Sequence, residues 1–137
     1  MPLIGGGHNL LGLSHVTNLA AGIALAVAEP AARGQIYHLT DGEEITAKQA
    51  LTMLAEAMGL APPRRSLPYP VVLAAAALVE GTARLMRRAS APRLTRYGVR
   101  FVACHCRYDT TKARRELGWR PEMTFADGIR ELAAVHG

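Results

Sequence analysis

Aromatic side chains make up only 5% of this 137-residue chain. Its core must therefore be built from Ala, Leu, Val and Ile, and helices are the natural use of so much alanine. Lysine is almost as scarce. Lys48 and Lys112 are the only two, so nearly all of the positive side of the +5 net charge is arginine. There are two cysteines, Cys104 and Cys106, one residue apart around His105. That spacing makes a poor disulfide and fits a reducing, cytoplasmic setting. A tetrahedral metal site needs four ligands, and the other histidines (His8, His15, His38, His136) lack paired spacing, so CHC reads as two side chains on one side of an extended run, RFVACHCRY. Long hydrophobic runs are missing too. The longest, YPVVLAAAALV (69–79), is far shorter than a bilayer span and reads as a buried helix with Pro70 in its first turn. MPLIGGGHN has neither the basic start nor the apolar stretch of a targeting segment.

What remains is the composition of one soluble domain, 50% hydrophobic and 20% charged. Six arginines, Arg84, Arg87, Arg88, Arg93, Arg96 and Arg100, follow one another without an intervening acid. Such a run could hold phosphate, but no interleaved aromatics, zinc ligands or helix-turn-helix spacing accompany it, so nucleic acid is not expected as a partner.

Along the chain, GLSHV (12–16) reads as a short extended piece leading into a buried, all-round apolar helix from about Asn18 to Glu29. GQIYHLTDG (34–42) alternates and ends in Asp-Gly, as a strand followed by a turn does. Thr46 and Gln49 form a capping-box pattern ahead of ALTMLAEAM, and Gly59 supplies the stop. A Pro-rich link, APPRRSLPYP, precedes the apolar helix that runs into the upper eighties, and a second link, SAPRLTRYG, follows it. Near the end, Asp109 or Thr110 can cap a short helix closed by Gly118, and Thr124 can cap a final one.

The ordered series GGGHNLLGLSHVTNLA, GQIYHLTDGEEITAKQ, SLPYPVVLAAAALVE and YDTTKARRELGWRPEMTFADGIREL resembles the C-terminal half of an extended short-chain dehydrogenase. It is similar to the NAD-dependent epimerase/dehydratase family, in the branch that includes 3β-hydroxysteroid dehydrogenases. The resemblance implies an α/β fold, with the last helix and strand of a Rossmann-type parallel sheet (1–45) followed by a small, mainly helical substrate-binding domain (46–137). It implies NAD(P) as the cofactor of a full-length parent and none for this chain alone. GGGHNLLG has no fingerprint spacing and no helix directly after it, and reads as a loop.

Tyr108 and Lys112 have the spacing of the family's catalytic pair. By the resemblance, however, that pair lies upstream of this chain, and Tyr108 precedes the expected helix cap, so no catalytic residue is expected here. His15 and Asn18, in the H-V-x-N stretch, become the candidate substrate-binding residues. The bland alternatives are an Asn18 that caps the helix and a His15 that bonds a backbone carbonyl. Leu11 stands where nucleotide-sugar epimerases carry an arginine, which implies an apolar alcohol or ketone, sterol-like or terpenoid, as substrate. The implied partner is a missing N-terminal dinucleotide-binding half or a second copy. A stand-alone binding or interaction module without catalysis is the alternative.

Overall fold

The computed structural model describes residues 2–87, 90, 92 and 94–136. Arg88 and Arg93 of the arginine run lie outside the described residues. The fold is α/β. Six helices carry most of the chain: α1 (Val16–Ala28), α2 (Ala47–Ala57), α3 (Tyr69–Leu85), α4 (Arg96–Ala103), α5 (Thr111–Leu117) and α6 (Phe125–His136). Four two-residue strands complete it: β1 (Leu3–Ile4), β2 (Leu10–Leu11), β3 (Ile45–Thr46) and β4 (Ser66–Leu67). β1 pairs with β4 in parallel, in the register Leu3 to Ser66. β2 pairs with β3 antiparallel, in the register Leu10 to Thr46. The glycine-rich opening is thus a 3₁₀ turn, Gly5–Gly7, set between two short strands, and not wholly a loop.

The helix ends follow local chemistry. Thr46 Oγ1 accepts from the Gln49 N–H at 3.2 Å, and Gln49 Oε1 accepts from the Thr46 N–H at 2.9 Å. This reciprocal box satisfies two of the donors that a helix start leaves open. Thr46→Ala is expected to destabilise the fold by about 1 kcal/mol, read from the urea midpoint. Thr124 and Asp127 repeat the device on α6, with Thr124 Oγ1 accepting from the Asp127 N–H and Asp127 Oδ2 accepting from the Thr124 N–H. The Thr124 hydrogen bonds hold the Asp127 carboxyl below its usual range. Gly118 ends α5 in the left-handed region, at φ 64°.

Four expectations need correction. GQIYHLTDG belongs to no strand among the described residues. Its alternation does turn Tyr37 and Leu39 toward the core and Ile36 to solvent, but no strand among the described residues pairs with it. Second, RFVACHCRY is not extended throughout: α4 begins at Arg96 inside the supposed link and takes in RFVA (100–103), while Cys104 is extended and CHCRY belongs to no helix or strand. Thr95 caps α4, and the Glu80 carboxylate accepts the Arg96 N–H at 2.8 Å and pairs with its guanidinium at 2.7 Å. These bonds hold the Glu80 carboxyl below its usual range. A partner sixteen residues away leaves no trace in a local pattern. Third, α1 and α3 are not buried all round. Only Asn18 and Gly22 of α1 and Ala76 of α3 are buried. Fourth, the core is of Ala, Leu and Val, as expected, but not wholly: the lone tryptophan, Trp119, is fully enclosed among Ala32, Ala113 and Leu117.

Candidate functional site

A cleft of about 540 Å³ opens between β2 with the residues after it, the turn 40–44, and the segment 106–114. Leu10, Leu11 and Leu13 supply apolar wall, and Glu43, Glu44, Arg107, Asp109 and Arg114 supply charge. Backbone bonds set the walls. Cys106 donates its N–H to Leu10 O at 3.0 Å, and Asp41 donates its N–H to Leu13 O at 3.0 Å. Tyr108 packs against Gly12, where a Cβ would come within 2.5 Å of the ring, so this wall requires glycine. The Tyr108 ring also meets His38, at 5.4 Å between centroids.

The charges are not equivalent. Arg107 is paired with Glu44. Asp109 accepts the Thr111 N–H at 2.8 Å, and hydrogen bonding from Thr111, helped by His38, keeps its carboxyl below the usual range. It thereby satisfies the first N–H of α5, one residue after the N-cap Thr110. Arg114 differs: its guanidinium rests against Gly42, which sits at φ 75°, and has no hydrogen-bond or ion-pair partner among the described residues. It is the cation this cleft has to offer.

Behind the turn 40–44 lies a buried polar knot. Asn18 Nδ2 donates to Asp41 Oδ1 and to Met123 O, both at 2.7 Å, while Asn18 Oδ1 accepts the N–H groups of Glu122 and Met123 at 2.9 Å. Every hydrogen-bonding position of that amide is used within the chain. His15, and not Asn18, occupies the N-cap position of α1. Its Nδ1 accepts the Thr17 N–H, its own N–H donates to Asp41 Oδ2 at 2.7 Å, and its Nε2 lies 3.3 Å from Glu131. Gly128 leaves space for the imidazole, since a Cβ there would sit 2.9 Å from it. His15 and Asn18 are thus brought together, around Asp41, but neither lines the cleft. Sequence reasoning passed over Asp41, seeing only a turn in TDG. It passed over Arg114 as well, which no motif distinguishes from Arg115.

Tyr108 and Lys112 do not converge. Lys112 Nζ donates to Gln35 Oε1 at 2.7 Å and lies over the Tyr37 ring, whereas Tyr108 packs on Gly12 and His38. In the CHC stretch, His105 Nδ1 accepts the Leu10 N–H at 3.2 Å, and no group of three potential metal ligands occurs among the described residues.

No protein-family model matches the chain. Curated proteins do. Over 130 residues, 94% of this chain, it is 35% identical to a 4-hydroxy-2-methyl-3-oxo-4-farnesyl-3,4-dihydroquinoline-1-oxide ketoreductase of Stigmatella aurantiaca, covering 38% of that protein. It is 32% identical to 3beta-hydroxysteroid-dehydrogenase/decarboxylase isoform 2 of Arabidopsis thaliana, over 93% of this chain and 24% of the relative. The crystal structure of gox2253 superposes with a TM-score of 0.64 at 28% identity, over 94% of this chain and 38% of that one. The chain belongs to the short-chain dehydrogenase/reductase family. It corresponds to a C-terminal portion of members of the NAD-dependent epimerase/dehydratase branch, 3β-hydroxysteroid dehydrogenase-like proteins among them. It spans about two fifths or less of the length of these relatives. No helix among the described residues is long and apolar enough to cross a membrane.

Proposed function

We propose that this chain forms the substrate side of an NAD(P)-dependent oxidoreductase that acts on an alcohol or ketone with an apolar body, residues 1–45 continuing the dinucleotide-binding domain and 46–137 forming the substrate domain. The observation that carries this reading is the cleft, with leucines on one wall and, on the other, the Arg114 guanidinium, unpaired among the described residues. The leucines suit a hydrophobic skeleton, and Arg114 suits its oxygen-bearing end. Two relatives are named for such molecules, a farnesyl-bearing quinoline ketone and a 3β-hydroxysteroid. His15 and Asn18 serve the substrate through position: both grip Asp41, and Thr40, Gly42 and Glu43 on either side of it line the cleft.

The glycines present do not suit a dinucleotide. Gly5, Gly6 and Gly7 form a 3₁₀ turn, and the next α-helix along the chain starts only at Val16, so the glycines do not stand in the strand–turn–helix order of a dinucleotide fingerprint. This supports a cofactor held by the N-terminal portion that the relatives possess. The outward stripe of α1, with Val16 at 73%, Ile23 at 53% and Val27 at 83% exposure, and the unladdered 34–42 segment beside it support the same partner, a sheet missing its last strand.

The test has two arms. The chain alone, titrated with NADH, is expected to give no saturable change in nucleotide fluorescence at micromolar concentrations, and saturable binding there sinks the assignment. Joined to a cofactor-binding portion, the enzyme carrying Tyr108→Phe is expected to keep its turnover within about two-fold, whereas a proton-transfer residue contributes on the order of 10²-fold. A loss of that size with the fold intact would return Tyr108 to the chemistry.

A further inference from the structure

The charges that line the cleft are matched within the chain until Arg114 is reached. Glu44 pairs with Arg107. Glu43 Oε2 accepts the Phe125 N–H at 2.8 Å, at the start of α6, and Asp109 Oδ1 accepts the Thr111 N–H at 2.8 Å, at the start of α5. Each carboxylate of the cleft is thus held by a cation or a backbone donor of this chain. Arg114, exposed on α5, has no such partner among the described residues. Its place over the turn depends on Gly42. That residue sits at φ 75°, and a Cβ there would stand 3.1 Å from Arg114 Nη2, so the missing side chain is what lets the guanidinium lie along the cleft wall with its donors open.

Desolvation decides what such a cation selects. In the free chain, water solvates it. A ligand whose apolar body lies along Leu10, Leu11 and Leu13 expels that water from the cleft, and a charge that loses water without gaining a partner is costly. A ketone or hydroxyl oxygen offers one neutral acceptor to a planar group with several donors, and leaves its charge uncompensated. A carboxylate offers two charged oxygens that match the guanidinium fork in a bidentate pair. The chain's own carboxylates are engaged elsewhere, so the counter-charge has to arrive with the ligand. A phosphate monoester suits the place less well, since up to two negative charges would meet a single unpaired cation beside Glu43, Glu44 and Asp109. Building on the reading of this cleft as the substrate site, we propose that Arg114 is a specificity-determining residue that selects oxo or hydroxy acids, apolar molecules bearing a carboxylate, over neutral ketones and alcohols of the same skeleton.

Octanoate and octanamide, equal in skeleton and different in charge, are the probes. Each is titrated at neutral pH into the isotope-labelled 137-residue chain while the amide resonances of Leu10, Gly12 and Gly42 are followed by NMR. Octanoate is expected to bind about ten-fold more tightly than octanamide, the worth of a hydrogen-bonded charge pair. Arg114→Gln should remove that ten-fold preference while moving octanamide by less than about two-fold, whereas a merely structural role would weaken both probes alike. Arg114→Lys keeps the charge without the fork and should retain only part of the preference. Arg115→Gln takes a cation from the same helix, one that pairs with Glu116, and should leave both probes unchanged. Arg114 and Arg115 are exposed, and the amide spectrum shows that each variant keeps its fold before it is compared. Equal binding of the two probes at these amides overturns selection by charge and leaves the apolar cleft standing as the substrate site. No shift with either probe overturns both. A loss of octanoate binding in Arg115→Gln as large as in Arg114→Gln means general attraction by a basic chain and overturns the proposal, and so does octyl phosphate binding more tightly than octanoate.

Discussion

Trp119→Ala is expected to lower the stability of the chain by about 3–5 kcal/mol, a large part of what holds together a domain of this size. Trp119 is the one tryptophan and, among the described residues, the one large side chain enclosed completely. It does two things at once. Its ring fills the space between α1, α5 and the 34–42 segment, touching the core of Ala32, Ala113 and Leu117, and its Nε1–H donates to Asn18 O at 2.9 Å. Ala32, Ala113 and Gly22 among its neighbours have little or no side chain with which to close over the void, and at Gly22 even a Cβ would come within 3.0 Å of the indole nitrogen. A cavity that cannot collapse keeps its full cost. Urea unfolding followed by far-ultraviolet circular dichroism measures the effect. A loss below about 1 kcal/mol would show that another cluster carries the fold.

The second large effect is expected at Asn18. Asn18→Leu removes the amide that joins α1, the 39–44 turn and the entry to α6, leaving Asp41 Oδ1, Met123 O and the N–H groups of Glu122 and Met123 without that partner. Each buried group so stranded costs about 1–3 kcal/mol, and because they share one site the costs do not simply add, so the total should be about 3–5 kcal/mol. Asn18→Asp, of nearly the same shape, should be no rescue: it removes both N–H donors and sets a carboxylate against Asp41 Oδ1. Urea midpoints for both variants decide the matter. If Asn18→Asp matched the wild type, the amide would not be the group that organises the knot. Since Asp41 anchors the turn lining the cleft, in a catalytically complete enzyme either change should also weaken substrate binding.

Local chemistry wrote some of this structure openly. The capping boxes at Thr46 and Thr124, the left-handed stop at Gly118, the helix opened by Pro70 and the apolar run after His15 all involve partners within five residues, so their spacing is visible in the chain itself. The family was legible for a related reason. Four segments in order carry the resemblance, and the relatives match along nearly the whole chain.

The candidate site was less legible. His15 and Asn18 stood out, but their shared partner Asp41 lies 23 or more residues away, and Arg114 becomes distinctive only because Arg107 and Arg115 have acids beside them and it has none among the described residues.

By itself the sequence determined where most helices start and stop, which residues alternate toward a core in 34–42, and which family the chain joins, because each rests on short-range bonds, on period, or on order along the chain. Tertiary structure alone decided the rest. RFVA (100–103) became the end of a helix whose first residue, Arg96, is held by Glu80. Trp119 became the centre because α1 offers Gly22 as the gap for it. GQIYHLTDG stayed out of any ladder because a strand needs the backbone of another segment to accept its bonds. In each case the deciding group is distant in the chain, and only folding brings it within the few ångströms over which hydrogen bonds and packing act.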